Sequence, residues 1–267
     1  MPTRKRPFSK ASKTIVAVAL LAAGVAVASP LFSSPSKGDD PVKTGYSLTA
    51  PPSATELAGV DLATFVIPGL TLAEKIEDDG GLALTYRSAH GEVRAVVRLA
   101  VSKDATEARA FLDHELHGIA RILPKASDPA FGDLAYADEG SATIVVATIA
   151  NVAYDVRAIE NGNDPSVVPN AGAIARILRA SMRPGAPTFP TPTLTLPAEI
   201  SVKDGGDVVV TGVSGQVPKL RAENAYVAKG PKGPLVRPFG PGAVTVTAVV
   251  VDELGRIGTA KATTIAK

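Results

Sequence analysis

Alternating apolar and polar positions predict antiparallel strands after residue 63. From Val93 to Val101 every second residue is apolar, and Arg94 and Arg98 occupy positions between them. A period of two with a charged second face is typical of a strand that is buried on one side only. Comparable short runs, bounded by Gly, Asp or Asn, predict further strands at 65–72, 82–86, 134–136, 143–150 and 152–160.

Two other stretches have the period of a helix. A capping box opens at Asp104, and apolar residues then recur at intervals of three and four as far as Leu123. A second stripe of this kind runs from Val168 to Leu178. The order βββα-βββα predicts an α+β domain over residues 64–183, an antiparallel sheet with its helices on one face. Because the order repeats, an internal duplication remains an alternative.

The chain changes character at residues 184–197, PGAPTFPTPTLTLP. Closely spaced prolines favour an extended, semi-rigid spacer, so we expect this segment to hold two modules apart. Residues 198–267 contain short Val- and Thr-rich runs between Gly- and Asp-rich turns. Such a pattern predicts a small all-β sandwich.

The segment 241–266, PGAVTVTAVVVDELGRIGTAKATTIA, resembles the last two strands of a bacterial immunoglobulin-like or PKD-type domain. Pro241, Gly242, Asp252 and Gly255 carry the resemblance. It implies an immunoglobulin-like β-sandwich for the C-terminal region. Modules of this kind serve as spacers, adhesins and binding units, so the resemblance implies no particular activity.

An uncharged apolar run, TIVAVALLAAGVAVA, occupies residues 14–28 and follows five basic residues without an acid. This is the pattern of a secretory signal, with cleavage expected after Ala28. An uncleaved anchor in the inner membrane, formed by residues 14–32, is the alternative. The segment 5–10 also resembles a twin-arginine signal whose first Arg is replaced. Residues 29–63, rich in Pro, Ser, Lys and Asp, predict a flexible tether.

Composition narrows the possible functions. The formal net charge is +2, but the five basic residues before the apolar run leave the rest of the chain slightly negative. We therefore expect no nucleic-acid binding. The secretory signal predicts a periplasmic or extracellular location. The chain has no Cys, which excludes disulfides, thiol catalysis and iron–sulfur clusters. It also has no Trp and few other aromatic residues, which argues against carbohydrate-binding or hot-spot surfaces built on aromatic platforms.

One motif on the first predicted helix has residues that bind transition metals. Asp113, His114 and His117 lie within the sequence DHELH. A metalloprotease helix requires His-Glu-x-x-His, whereas these histidines are three residues apart. Asp113 and His117 are one helical turn apart and are the candidate ligands for a shared ion. The alternative is that all three residues form an ordinary solvated helix face.

Three acidic turns are candidate calcium ligands in an exported protein. Each offers fewer oxygens than the six to eight that calcium takes, and Asp and Gly favour turns for backbone reasons alone. The turns are Asp78-Asp79-Gly80-Gly81, Asp204-Gly205-Gly206-Asp207 and Asp252-Glu253.

These observations favour an exported, non-enzymatic protein without a cofactor. In this hypothesis an α+β module binds or senses a partner of the envelope, and an immunoglobulin-like module spaces or docks it. A metal-dependent enzyme or enzyme subunit, with its site in the α+β module, is one alternative. A structural component of a surface assembly, joined through an exposed edge strand, is another.

Overall fold

A computed structural model describes residues 45–49, 55–78, 81–138, 143–160, 168–213 and 215–267. The predicted leader, residues 1–28, lies outside the described residues, as does most of the predicted tether. Within the described ranges, no helix combines the length and the apolar character that crossing a membrane requires.

The first part of the fold contains eight strands and two helices among the described residues. In chain order they are β1 (Leu57–Val60), β2 (Thr71–Asp78), β3 (Gly81–Arg87), β4 (Val93–Val101), α1 (Ala105–His117), β5 (Leu134–Ala137), β6 (Ile144–Ile149), β7 (Val152–Ala158), α2 (Ala171–Ala180) and β8 (Met182–Pro184).

Six of these strands form one sheet in the order β2-β3-β4-β7-β6-β5. All neighbouring strands in it are antiparallel. The predicted strand from Val93 to Val101 is confirmed as β4. Most of the apolar side chains of β4 are buried, and Val97 among them pairs with Leu84 on one side and with Val156 on the other. The expectation of a β-rich protein with helices is also confirmed.

The two helices cover opposite faces of the sheet, so the prediction that both lie on one face is wrong. Neighbouring residues of a strand point to opposite faces. On β6, Val145 packs in the same apolar cluster as Ile174 of α2, whereas Val146 packs with Leu112 of α1. Both alternating sets of β6 are apolar enough to be buried, and each set therefore takes one helix.

Helix α1 begins where its capping residue predicts and ends earlier than expected. The Asp104 carboxylate accepts hydrogen bonds from the backbone N–H groups of Thr106 and Glu107, both at 2.9 Å. The helix ends at His117, with Gly118 as its C-cap, instead of continuing to Leu123. Leu123 is nevertheless buried, because the loop after α1 returns it to the core beneath the helix. Leu123 has the spacing of the helical apolar stripe, but it is buried as part of a loop.

The C-terminal part is built from strands only, within the described residues. They are β9 (Thr193–Thr195), β10 (Glu199–Ile200), β11 (Gly206–Asp207), β12 (Val209–Thr211), β13 (Lys219–Glu223), β14 (Ala225–Lys229), β15 (Pro234–Pro238), β16 (Gly242–Val251) and β17 (Ile257–Ala266). They pair as β10-β17-β16-β13, β11-β15-β14 and β12-β9. Val244 and Val246 of the first sheet and Val236 of the second share one apolar core.

The tip of the β16–β17 hairpin is packed into the core of the six-stranded sheet. Val251 and Ile257 join the apolar cluster that also contains α2. The Val60 N–H donates to the Leu254 carbonyl at 2.8 Å. The segment 184–197 therefore does not hold two modules apart as predicted. Its residues enter strands β8 and β9, and the hairpin tip packs into the core of the six-stranded sheet, while the other C-terminal strands have an apolar core of their own.

Part of the predicted tether is also folded. β1 pairs in antiparallel register with β8, Leu57 opposite Pro184 and Val60 opposite Met182. The Tyr46 hydroxyl accepts a hydrogen bond from the Leu123 N–H at 2.9 Å. The prediction of a flexible tether is therefore wrong for the described residues of this range, because they pair with or pack against segments far away in the chain.

Gly59 is the residue at which a side chain would disturb this junction. Its φ is +147°, and a Cβ would lie 2.3 Å from the Leu254 carbonyl oxygen. We expect Gly59→Ala to lower the free energy of unfolding by about 2 kcal/mol or more, since the backbone of the hairpin turn must move. Denaturant unfolding measures this change.

Gly233→Ala is the matched control. Its φ is +140°, similar to that of Gly59, but nothing lies within 4 Å of the added Cβ. Its cost is backbone strain alone, about 1 kcal/mol. Equal losses in the two variants would show that the contact with Leu254 contributes nothing.

Candidate functional site

The predicted metal ligands lie on α1 but are not gathered into a site. His117 Nδ1 donates to the Asp113 carbonyl oxygen at 2.7 Å and lies 3.5 Å from the Asp113 carboxylate. His114 lies on the exposed surface of the same helix. No group of three His, Cys, Asp or Glu side chains in the described residues is arranged to hold a metal ion. The helix geometry therefore gives the metal hypothesis no support.

The acidic turns are occupied by structural contacts where they are described. The Asp252 carboxylate accepts from the backbone N–H groups of Leu254 and Arg256 and from Arg256 Nε at 2.6 Å. These bonds shape the turn that enters the core. The Asp204 carboxylate accepts from the Ser201 hydroxyl at 3.2 Å. In the turn at 78–81, residues 79 and 80 lie outside the described ranges.

The residue of this helix with unusual chemistry is Glu115, between the two histidines. It is the acid that α1 turns toward the sheet, where its side chain is only 1% exposed. Arg98 of β4 and Asp155 of β7 lie beneath it, directly opposite each other in register. Arg157, two residues further along β7, points to the same face. We call Arg98, Glu115, Asp155 and Arg157 the α1 charge cluster.

Each guanidinium of the cluster contacts a carboxylate. Arg98 Nη1 donates to Glu115 Oε2 at 2.6 Å. Arg157 donates to Asp155 Oδ2 from Nε at 2.8 Å and from Nη2 at 2.7 Å. Arg157 Nη2 also lies 4.0 Å from Glu115 Oε2. The arginine side chains retain some solvent contact, 12% for Arg98 and 27% for Arg157, whereas that of Asp155 has none.

One oxygen of each carboxyl group has no hydrogen-bond partner among the described residues. These atoms are Glu115 Oε1 and Asp155 Oδ1, and both are buried. Burying a polar atom without a partner costs about 1–3 kcal/mol, and more if it is charged. The cluster is therefore incomplete when both acids are ionised.

Burial raises the pKa of Glu115 to about 7. The positive charge of Arg98 acts in the opposite direction, and the negative charge of Asp155 raises the pKa further. The cluster can thus take up and release a proton near neutral pH.

Sequence reasoning missed this cluster because it assigned Arg98 to a solvated outer face. That face is instead covered by α1, and Arg94 on the same face is also buried. The available signal was the presence of charges on one face of two strands, Arg98 on β4 and Asp155 and Arg157 on β7. Their signs are complementary, but only the register brings them together.

A second surface with recognition chemistry lies on the C-terminal strands. Tyr226 of β14 and Phe239, just after β15, are stacked with their ring centroids 5.9 Å apart and an interplanar angle of 30°. Tyr226 is 49% exposed and Phe239 is 73% exposed. We call these two rings the aromatic surface.

Removing Arg98 takes away the guanidinium that pairs with Glu115, so it should show how much an unpaired Glu115 lowers the free energy of unfolding. We expect Arg98→Met, which keeps an apolar stem, to lower the free energy of unfolding by about 3 kcal/mol at pH 8. At pH 5 the loss should be smaller, because a protonated Glu115 does not need a cation. Denaturant unfolding at the two pH values measures both losses.

Lys267→Met is the control, because Lys267 and Glu199 form an exposed ion pair. Its cost should stay below about 1 kcal/mol at either pH. A loss for Arg98→Met that is the same at pH 5 and pH 8 would contradict the assigned role of Glu115.

Comparison of the chain with models of protein families, and with curated proteins, finds no match. Among the described residues, the α1 charge cluster and the aromatic surface are the features that offer chemistry beyond packing.

Proposed function

We propose that this is an exported, non-enzymatic protein that docks to an envelope partner through the aromatic surface of its C-terminal strands. In this proposal residues 198–267 form an immunoglobulin-like sandwich. The region of the six-stranded sheet is an α+β module with a binding or sensing role. The observation that carries the proposal is the exposed, stacked pair of Tyr226 and Phe239.

The position of the pair supports recognition. β14 lies at the edge of its three-stranded sheet, and Tyr226 is directly opposite Arg237. Ala225 and Val236 are buried from the same two strands, so Tyr226 points away from the core. Two large aromatic rings beside an arginine are the residue types that dominate binding energy at protein interfaces.

The aromatic surface is also held in place. The Phe239 N–H donates to the Asn224 carbonyl at 3.0 Å. The Asn224 side-chain amide donates to the Ala243 carbonyl at 3.1 Å. These bonds fix the backbone that carries Phe239, which reduces the conformational entropy lost when a partner binds.

The charge beside the rings indicates the partner's character. Arg237 lies opposite Tyr226, on the same face of the sheet. A partner that places an apolar side chain between acidic residues would match this surface. We therefore expect a protein partner with an acidic rim.

A photo-reactive amino acid at position 239 tests the docking proposal in cells. We expect a crosslink to a defined envelope protein, lost when Tyr226 is changed to Ser and weakened by added salt. Both rings lie outside the core, so the substitution should change stability by less than about 0.5 kcal/mol.

The matched position is Val209 of β12, which is exposed but belongs to another sheet. Crosslinking at 209 should not capture the same protein. Identical products from the two positions, or none from 239, would contradict docking through the aromatic surface.

Export has its own test. We expect the mature protein to begin at Ser29, because Ala26 and Ala28 have the spacing that signal peptidase recognises. Ala28→Arg should block this cleavage, whereas Ala19→Val, inside the apolar run, should not. Mass spectrometry of the protein from the envelope and medium fractions decides the point, and full-length protein in the cytosol would contradict export.

A further inference from the structure

We propose that Glu115 and Asp155 form a proton-binding site that holds α1 on the sheet. One proton is shared between the two oxygens that lack a partner, and its release loosens the helix. This inference does not depend on the proposed docking function. Its ligand is the proton itself, bound by two carboxyl groups.

The two unpartnered oxygens are the first support. Glu115 Oε2 and Asp155 Oδ2 already accept hydrogen bonds from Arg98 and Arg157. The other two oxygens, Glu115 Oε1 and Asp155 Oδ1, are buried without any donor. A proton on Glu115 Oε1 converts it into a donor, and we take Asp155 Oδ1 as its acceptor because the two side chains are neighbours and both of these oxygens lack a partner. One proton thus satisfies both atoms, and no other bond changes.

The charges that face Glu115 come from two strands. β4 contributes Arg98, and β7 contributes Asp155 and Arg157. On the α1 side of β6 the neighbouring side chains, Ile144 and Val146, are apolar. On β5 the Tyr136 hydroxyl is ionisable, but it donates to the Ser47 carbonyl at 2.7 Å.

The α1 side chains that flank Glu115 on the sheet side carry no charge, and the titratable His114 and His117 lie on the exposed face of the helix. Leu112 and Leu116, which lie on either side of Glu115 along the helix, are both apolar and buried. Phe111, one turn earlier, has its ring near Gly81 of β3.

Two guanidiniums and two carboxylates would balance in charge without a proton, so the positions of the charges matter. The guanidiniums approach the oxygens that face them and keep contact with water. Water screens these positive charges, while the carboxyl groups are almost fully enclosed. Two neighbouring buried carboxylates share one proton for this reason, since both cannot ionise cheaply. The raised pKa of Glu115 is consistent with this arrangement.

Hydrogen exchange of α1 amides tests the proposal in the full chain. Once α1 opens, Glu115 returns to the ordinary pKa of a glutamate, so opening is linked to proton release. After correction for the intrinsic exchange rate, the opening constant of Leu112 and Leu116 should rise up to about tenfold per pH unit between pH 5 and pH 7 and level off above. Ile174 and Leu178 of α2 should show no such rise.

Two amide variants separate a proton site from mere packing. In Glu115→Gln the side-chain amide donates to Asp155 and cannot ionise, so opening of α1 should no longer depend on pH. Asp155→Asn places the hydrogen-bond donor on residue 155 instead of residue 115. It should also make the opening of α1 independent of pH between pH 5 and pH 7. It serves as the second variant if Glu115→Gln does not fold.

Three results would overturn the proposal. Opening of α1 in the unmodified protein could be independent of pH. Glu115→Gln could retain the full dependence, which would assign the titration to another group. The opening constant could change when sodium is replaced by potassium or calcium at constant ionic strength, which would make the ligand a metal ion instead of a proton.

Discussion

The register between β4 and β7 places Arg98 directly opposite Asp155 on a sheet face that α1 covers. The helix buries Leu112 and Leu116 there and brings Glu115 down onto the charged pair. A buried carboxylate is costly unless it is paired and hydrogen-bonded. The packing of α1 therefore depends on how completely its one buried acid is neutralised. Leu112 and Leu116 can pack on the sheet only when the charge of Glu115 is neutralised.

Different interactions stabilise the two faces of the sheet: apolar packing under α2, and paired charges beside apolar contacts under α1. On the α2 face, Ile174 and Leu178 pack with Val97, Val145 and Val156 in an apolar cluster. Apolar burial of this kind does not depend on pH. On the α1 face the sheet carries Arg98, Asp155 and Arg157, which meet Glu115 of the helix. The sheet thus joins an apolar layer with one that, in our proposal, responds to protons.

The hairpin tip joins the C-terminal strands to the hydrophobic core of the six-stranded sheet. Val251 and Ile257 reach the α2 face, and the carbonyl of Leu254 completes the hydrogen bonding of Val60. The Asp252 side chain fixes the turn by binding Arg256 and two backbone N–H groups. A partner that docks at the aromatic surface would consequently engage a body that includes the sheet. Domains joined only by a linker would move independently.

The sequence by itself determined the type of the main elements, because its signals are local. Alternation over Val93–Val101 specified a strand, and the Asp104 carboxylate specified where α1 begins. The tertiary structure alone decided what covers each face. A charged strand position such as Arg98 has the same spacing whether it faces water or a helix that carries an acid. The identity of its partners depends on strand register and on packing between distant segments, as does the contact of Gly59 with Leu254. Neither property has a local signature, and for that reason the charge cluster and the shared core became visible only in the folded chain.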